Sequence, residues 1–409
     1  MSVLSEVEKK IISSIDSNSR DLVRTCSQLI QINSENPKND CEGVVEYLEE
    51  QYRKIGVDYS KISADRKSLK ARGLRYPRNN FVALLGESPK NVGLSIGTHM
   101  DVVPAGDLSK WKYPPFSGKI ADGKIWGRGA CDAKCSLAAQ LFVAKALKES
   151  NVELSKSILL IGTVDDEAPK DATWPGMEFL VRDGGLEKMG FGLTEFAINA
   201  EASGIDSIWG IFTGSVALRL KFLGRTGHPP IGVNALESAV SFWSSIRSKR
   251  EFSRARLVWL SGGSDSDFGL TPQAADLIFR VSISPGTDPT DVVKLIEKFL
   301  ADSKNQNPDF QFAEVEVLSS QRAHDIGSDS RLVRAVKKAA SKTGARSSYG
   351  GGIVGAGDLY YYLEKGIPGV TFGAGSLDKC HVPDEFVTTD DLIAVTKIYA
   401  LTGLSLCVI

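Results

Sequence analysis

V-G-L-S-I-G at 92–97 and S-I-L-L-I-G-T-V at 157–164 are short, unbroken apolar runs. A strand buried on both faces reads this way, whereas a half-exposed strand alternates. F-A-I-N-A at 196–200 and P-G-V-T-F-G at 368–373 repeat the pattern. Helical spacing surrounds them. Residues 6–32 carry Val7, Ile11, Ile12 and Ile15, then Leu22, Val23, Leu29 and Ile30. Residues 133–148 place Leu137, Leu141 and Ala144, with Ala138, Phe142 and Ala146, on one helical face. Buried strands alternating with such helices predict an α/β fold, a sheet covered by helices on both faces.

Residues 212–320 read differently. S-V-A-L-R-L-K-F at 215–222 alternates, and a helix carrying Leu236, Ala239, Val240, Trp243 and Ile246 follows. Asn234 and Glu237 read as its capping pair. Two strand candidates come next, near 256–260 and 275–284. A second helix begins at Asp288-Pro289, a capping residue followed by proline at the first helical position. A last strand runs near 311–318. The order β-α-β-β-α-β is that of a ferredoxin-like split unit. The expected division is an α/β domain built from 1–211 and 323–409, with 212–322 inserted as a second domain.

Composition narrows the function. A chain of 409 residues exceeds one ordinary core. With 42% apolar residues, 24% charged residues and a net charge of −1, it reads as a soluble globular protein without the basic surface that nucleic acid requires. No apolar run reaches membrane-span length, so no membrane role is expected. The opening M-S-V-L-S-E-V-E-K-K lacks the pattern of a secretory signal. Six scattered cysteines make no disulfide framework. The expectation is a cytoplasmic chain with reduced thiols. Cys131 and Cys135 are four apart, but no second Cys/His pair stands at zinc-ribbon spacing, so they read as small buried thiols.

The chemistry-bearing residues fall at strand ends. His99 follows the run at 92–97, Asp166 and Glu167 follow 157–164, and Glu201 follows 196–200. Asp132 precedes the helix at 133–148, and His381 lies after the run at 368–373. Ligands of open α/β sheets bind outside the carboxyl ends of the strands, so most of these side chains share one rim. Alone, His99-x-Asp101 is also a structural pair, Asp132 a helix cap and Asp165-Asp166-Glu167 a solvated acidic turn. Together they spend two of only four histidines at strand ends. Two histidines and several carboxylates suit zinc, cobalt or manganese, and five donors suffice for two ions if one carboxylate bridges.

G-T-H-M-D-V-V-P-A-G (97–106), W-K-Y-P-P-F (111–116), D-G-K-I-W-G-R-G-A-C-D-A-K (122–134) and G-A-G-S-L-D-K-C-H-V-P-D-E-F (373–386) resemble the acetylornithine deacetylase, succinyl-diaminopimelate desuccinylase and glutamate carboxypeptidase family of co-catalytic zinc hydrolases. S-E-N-P (34–37) and G-R-T-G-H-P-P-I-G-V-N-A-L (224–236) extend the resemblance over nearly the whole chain. It implies a zinc-peptidase-like mixed sheet flanked by helices, with an inserted lid domain through which two copies pair as a homodimer. It implies that His99 and Glu201 hold one divalent ion, Glu167 and His381 the other, and that Asp132 bridges them. Asp101 would orient His99. Asp166 falls at the position of the general base. His228 falls where the family carries a histidine that reaches the partner's active site and stabilises the oxyanion. The implied reaction is hydrolysis of an amide beside a free carboxylate by a metal-activated water, in an N-acyl amino acid or a short peptide.

The chain departs from the family in three places. The base position holds aspartate where glutamate is usual, the substrate loop reads G-A-G-D-L-Y (355–360) without the usual hydroxyl and arginine, and residues 168–178 are longer than usual. In that last segment Trp174 either lines the pocket or sits on a surface loop. Gly355 and Gly357 belong to a glycine-rich stretch, 350–357, whose amides would cradle a carboxylate or form a plain loop. Arg280 and Arg322 are candidate carboxylate clamps, with ordinary surface arginines as the alternative. A deacetylase or desuccinylase, a carboxypeptidase or dipeptidase, and a weakly active metal-binding relative with a non-catalytic role all remain open.

Overall fold

The computed structural model describes residues 4–168, 173–228, 231–264, 269–351 and 355–408. The chain forms two compact units. One comprises residues 1–210, 326–351 and 356–409, the other 211–325 with 352–355. The first unit opens with α1 (Glu6–Ser17), α2 (Ser19–Gln31), α3 (Glu42–Lys54), β1 (Asp58–Ile62), α4 (Arg66–Ala71), β2 (Asn80–Leu85) and β3 (Val92–His99). It continues through β4 (Lys119–Ala121), β5 (Lys124–Trp126), α5 (Lys134–Glu149), β6 (Ser157–Thr163), α6 (Gly185–Lys188), β7 (Phe196–Asn199) and β8 (Ser207–Phe212). The second unit holds β9 (Gly214–Leu223), α7 (Ala235–Arg247), β10 (Ala255–Gly262), β11 (Ala274–Ile283), α8 (Pro289–Gln306), β12 (Gln311–Gln321) and β13 (His324–Asp325). The chain then returns through α9 (Arg331–Lys342), β14 (Ser348–Gly351), α10 (Tyr360–Glu364), β15 (Gly369–Thr371), β16 (Phe386–Thr388) and α11 (Thr389–Cys407).

The large sheet is mixed, in the order β1-β2-β6-β3-β7-β15-β8-β13, with β14 beside β8. Its centre is parallel: β3 pairs with β6 and with β7, and β15 with β7. Every residue of β3 and β6 is buried, which is why both read as unbroken apolar runs. Helices α5 and α11 pack on each other and on β3, and α3 packs on β1 and β2. Burial of each leucine or isoleucine in this layer, such as Leu94, Ile96, Leu160 and Ile161, contributes about 1.5–3 kcal/mol. The helical stretch read over 6–32 is two helices. Asn18 ends α1 and begins α2, and its side chain donates to the Ser14 carbonyl at 2.8 Å. An amide that bonds its own backbone offers the chain an exit from the helix.

The second unit is the βαββαβ arrangement, with antiparallel order β10-β11-β9-β12. Val216, Leu218, Leu220 and Phe222 of β9 and Leu277, Phe279 and Val281 of β11 share a core with Phe242, Ile246, Ile296 and Leu300 of its two helices. Asn234 caps α7, accepting from Leu236 and Glu237, while its amide donates to Glu237. Asp288 caps α8 with Pro289 behind it. Among the described residues, no helix is long and apolar enough to cross a membrane.

Candidate metal centre

The parallel centre of the sheet sets the geometry. β6, β3 and β7 lie side by side in register, His99 opposite Thr163 and Gly97 opposite Asn199. Side chains that leave these three ends meet on one edge. His99 is the last residue of β3, Asp165, Asp166 and Glu167 turn out of β6, and Glu201 stands two residues past β7. Asp132 precedes α5 without capping it, since the helix begins at Lys134 and has no side-chain cap. His381 lies between β15 and β16, in a left-handed backbone conformation (φ +63°) that a non-glycine residue adopts at a cost of about 1 kcal/mol or more. Gly375 makes room there: a Cβ on it would stand 2.3 Å from Cys131 Sγ.

Five donors converge. His99 Nε2 is 3.0 Å from one oxygen of Asp132 and 3.6 Å from Glu201. His381 Nε2 is 3.0 Å from the other oxygen of Asp132 and 2.7 Å from Glu167. Asp132 thus turns one oxygen to each imidazole. Donor atoms of His99, Asp132 and Glu167 all lie within 4.8 Å of one another. The Thr98 hydroxyl supports Glu201 at 3.2 Å.

This much charge at a buried edge has consequences. Burial, with repulsion from Asp132 and Asp166, pushes Glu201 up to about 8. Burial also raises Asp166, against the pull of His99. Burial would raise Asp132, but the hydrogen bonds from His381 and His99 hold it well below the usual carboxylate range. Hydrogen bonds to Asp132 and Glu167 raise His381 to about 10. Burial would depress His99, yet Glu201 and Asp132 keep it well above its ordinary value. The shifts share one cause, an excess of acidic groups around two imidazoles, which a divalent cation would compensate. The donor set fits zinc, cobalt or manganese.

The DDE turn has its own supports. The Asp101 carboxylate accepts the N–H of Asp166 (3.2 Å), the N–H of Glu167 (3.0 Å) and the Asn36 amide (2.9 Å). Asn36 also reaches Asp165 at 3.0 Å, and Arg78 Nε lies 3.4 Å from that same carboxylate. The expected Asp101–His99 contact takes another form. His99 Nδ1 meets the backbone carbonyl of Asp101 at 2.8 Å, and the carboxylate stands 3.8 Å off. Burial lifts Asp101 to about 6. Asp358 shares a side-chain hydrogen bond with Asp166 and is held by the Thr163 hydroxyl at 3.0 Å. Asn36 and Asp358 stand inside motifs quoted above, S-E-N-P and G-A-G-D-L-Y, and that placement was the available signal; Arg78 stands in no motif.

Trp174 is not on an exposed surface loop. It is buried against Phe179, its indole N–H donates to Asp183 at 2.6 Å, and Arg72 stacks on its ring at 4.3 Å. Residues 169–172 and 352–354, in the acidic-turn extension and the glycine-rich stretch, lie outside the described residues. Gly357 belongs to the first unit, at φ +55°, and Gly355 to the second. His228 and Arg280 also belong to the second unit. His228 is exposed, and its carbonyl accepts from Ile231 and Gly232. Arg280 is exposed on β11, opposite Arg256 of β10. Arg322 pairs with Asp288 at 3.0 Å. All six cysteines are free and buried, and Cys131 and Cys380 lie 3.5 Å apart.

Comparison with known proteins gives this geometry its context. The model of Peptidase family M20/M25/M40 matches residues 95–404. The chain belongs to this family. It is an M20 metallohydrolase, of the metallopeptidase type. A probable succinyl-diaminopimelate desuccinylase from Staphylococcus aureus is 26% identical over 87% of this chain and 94% of its own length. The fold matches an aminopeptidase PepT from Bacillus cereus, with a TM-score of 0.74 and 19% identity over 95% of this chain and 99% of that one. It also matches the Bacillus subtilis YXEP protein, described as a dinuclear metal binding peptidase of the M20 family, with a TM-score of 0.69 and 15% identity over 96% and 99%.

Proposed function

We propose that this M20 chain hydrolyses the amide of an N-acyl amino acid, of the desuccinylase or deacetylase kind, with two divalent ions held by His99, Asp132, Glu167, Glu201 and His381. The observation that carries the reading is Asp132, whose two oxygens face two different imidazoles, each of which also meets a separate glutamate. Zinc suits these donors best, with cobalt or manganese as substitutes. When bound, the ions supply Lewis acidity that polarises the scissile carbonyl and makes a hydroxide equivalent available near neutral pH. The chain's own groups do the rest. The Asp166 carboxylate takes a proton from the attacking water and returns one to the departing amine nitrogen. Asp101 and Asn36 hold the Asp166–Glu167 backbone in place for that transfer.

His228 stabilises the oxyanion from a second copy of the chain. Support comes from the second unit's edge strand, β10, which exposes Leu257, Val258 and Trp259 in a row. Unpaired apolar edges invite pairing with a twin across a two-fold axis. The substrate carries a free carboxylate beside the amide, and Gly355, Gly357 and Arg280 are the candidate residues for recognising it. Peptide hydrolysis is the second reading, favoured by the fold shared with PepT. The deciding assay offers the purified protein, with zinc, cobalt or manganese, N-succinyl and N-acetyl amino acids, their carboxamide analogues, and di- and tripeptides. Preferred turnover of acyl amino acids with a free carboxylate is expected. Turnover of peptides alone selects the second reading, and equal turnover of carboxamides removes the carboxylate requirement.

A further inference from the structure

Arg128 and Glu385 form an ion pair beside the centre that the mechanism above does not use. It is among the most buried in the molecule, with side chains 2% and 0% exposed and Nη1 2.6 Å from Oε2. Burying two charges costs several kcal/mol per ion unless other hydrogen bonds repay it, and here those bonds lead to the candidate ligands. Glu385 Oε1 accepts the N–H of Cys131 at 2.9 Å and the N–H of Asp132 at 3.1 Å. Arg128 Nη1 donates to the carbonyl of Val382, the residue after His381, at 3.3 Å. Arg128 Nη2 donates to the carbonyl of Pro104, in the loop that leaves His99, at 3.3 Å. The Glu385 carbonyl also takes the Gly127 N–H at 2.9 Å.

We propose that the Arg128–Glu385 pair is a positioning clamp for the metal ligands, fixing the backbone at Asp132 against the segments that carry His381 and His99. This rests on reading those three residues as ligands. The three segments have no shared secondary structure at these points, and the pair joins them. Because its charges cancel, the clamp orders the ligands without adding net charge beside the dications. Supports of this kind typically change metal affinity by about 10–100-fold.

The test uses cobalt, whose visible absorption reports the geometry of its ligands. Wild-type and variant proteins are stripped of metal and titrated with Co²⁺, and thermal melting of the metal-free forms is followed in parallel. Glu385→Asp keeps the charge but shortens the reach. The double variant Arg128→Met/Glu385→Gln removes both charges together, so neither is left buried alone. Both are expected to bind Co²⁺ about 10-fold or more weakly than wild type, with an altered spectrum. The control is Glu8→Gln/Lys342→Met, which removes a part-buried pair joining α1 to α9. It is expected to lower the melting temperature and leave Co²⁺ affinity and spectrum unchanged. Wild-type affinity and spectrum in Glu385→Asp overturn the clamp, as does equal weakening in the control. Should the double variant fail to fold, Glu385→Asp decides alone. A wild-type protein that takes up no Co²⁺ overturns the metal reading itself, and the clamp with it.

Discussion

Two places in this molecule gather acids and bases, and they differ in what surrounds them. On the open face of the four-stranded sheet, Lys221 stands between Asp276 and Glu314, and Arg219 pairs with Glu316 at 2.7 Å. Both partners of the Arg219–Glu316 pair are more than 40% exposed. At the edge of the large sheet, His99 is 2% exposed and Asp132 14%, at a similar separation of 3.0 Å. Water solvates the first group, so its pairing is worth little. The second group is largely withdrawn from water except at His381, which is 52% exposed, and it keeps an excess of carboxylates, a state that persists where protons or cations compensate. Similar contact distances thus describe a solvated surface in one case and a candidate cation site in the other. Burial and the balance of charge decide between them.

The sharpest break of this comparison is Asp132→Ala. If one carboxylate serves both ions, metal analysis will find neither retained and activity will vanish. One tightly held ion remaining would show that the two halves of the rim are independent. Asp166→Asn comes next: metal content is expected to stay at two ions while kcat falls by about 10³-fold. Near-normal turnover in that variant would remove Asp166 as the base. His228→Ala carries the question into the second unit. Alone it is expected to be nearly inactive with its metals bound. Reassembled with Glu167→Ala, it should regain part of the activity, because a mixed dimer holds one complete site. Verified mixed dimers without activity would exclude action across the interface.

A subtler effect concerns pH. In the metal-free protein burial pushes Glu201 up to about 8 from an ordinary 4.5, and hydrogen bonds to Asp132 and Glu167 raise His381 to about 10 from 6.5, although solvent screens His381, which is 52% exposed, so its shift adds less to stability. In both cases the folded chain keeps a proton that the unfolded chain releases at lower pH. The resulting stability is complete below the unfolded values and is lost as pH climbs through 8 to 10. Melting of the metal-free protein should therefore fall between pH 6 and pH 8, on the order of 3 °C and chiefly through Glu201, and added zinc should abolish most of that fall. A flat profile without metal would mean that the rim is solvated like the open sheet face. The smallest effect belongs to that face: Arg219→Ala should shift stability by about 0.5 kcal/mol or less, with kcat unchanged.

The sequence readings succeeded where the signal was local. Unbroken apolar runs marked β3, β6 and β7 because a strand covered on both faces has no polar side to show. Alternation in 215–222 marked β9, and Asp288-Pro289 marked the start of α8. The residues of the rim were legible as a set because parallel strands deliver their ends to one edge. The break at Asn18 was missed because apolar spacing continues across it, while the Asn18 side chain bonds the Ser14 carbonyl and accepts from Lys145, contacts that the spacing does not reveal. The surface-loop alternative for Trp174 failed because its partners, Arg72 and Asp183, lie on either side in sequence and no periodicity links them. The Arg128–Glu385 pair lay inside two quoted motifs, yet its meaning depends on a contact that spacing along the chain does not reveal.

That contact joins residues 257 positions apart, and His381 meets Glu167 across 214. Contacts this distant in sequence are late events, since the loop they close must lose its freedom before they form. A chain emerging from the ribosome can pair β3 with β6 while the segment that carries His381 and Glu385 is still unmade. The rim stays half-built until then. Completion of the candidate site therefore waits on the segment that carries His381 and Glu385, and any product cut short before residue 381 would fold around an edge able to assemble only part of its proposed ligands.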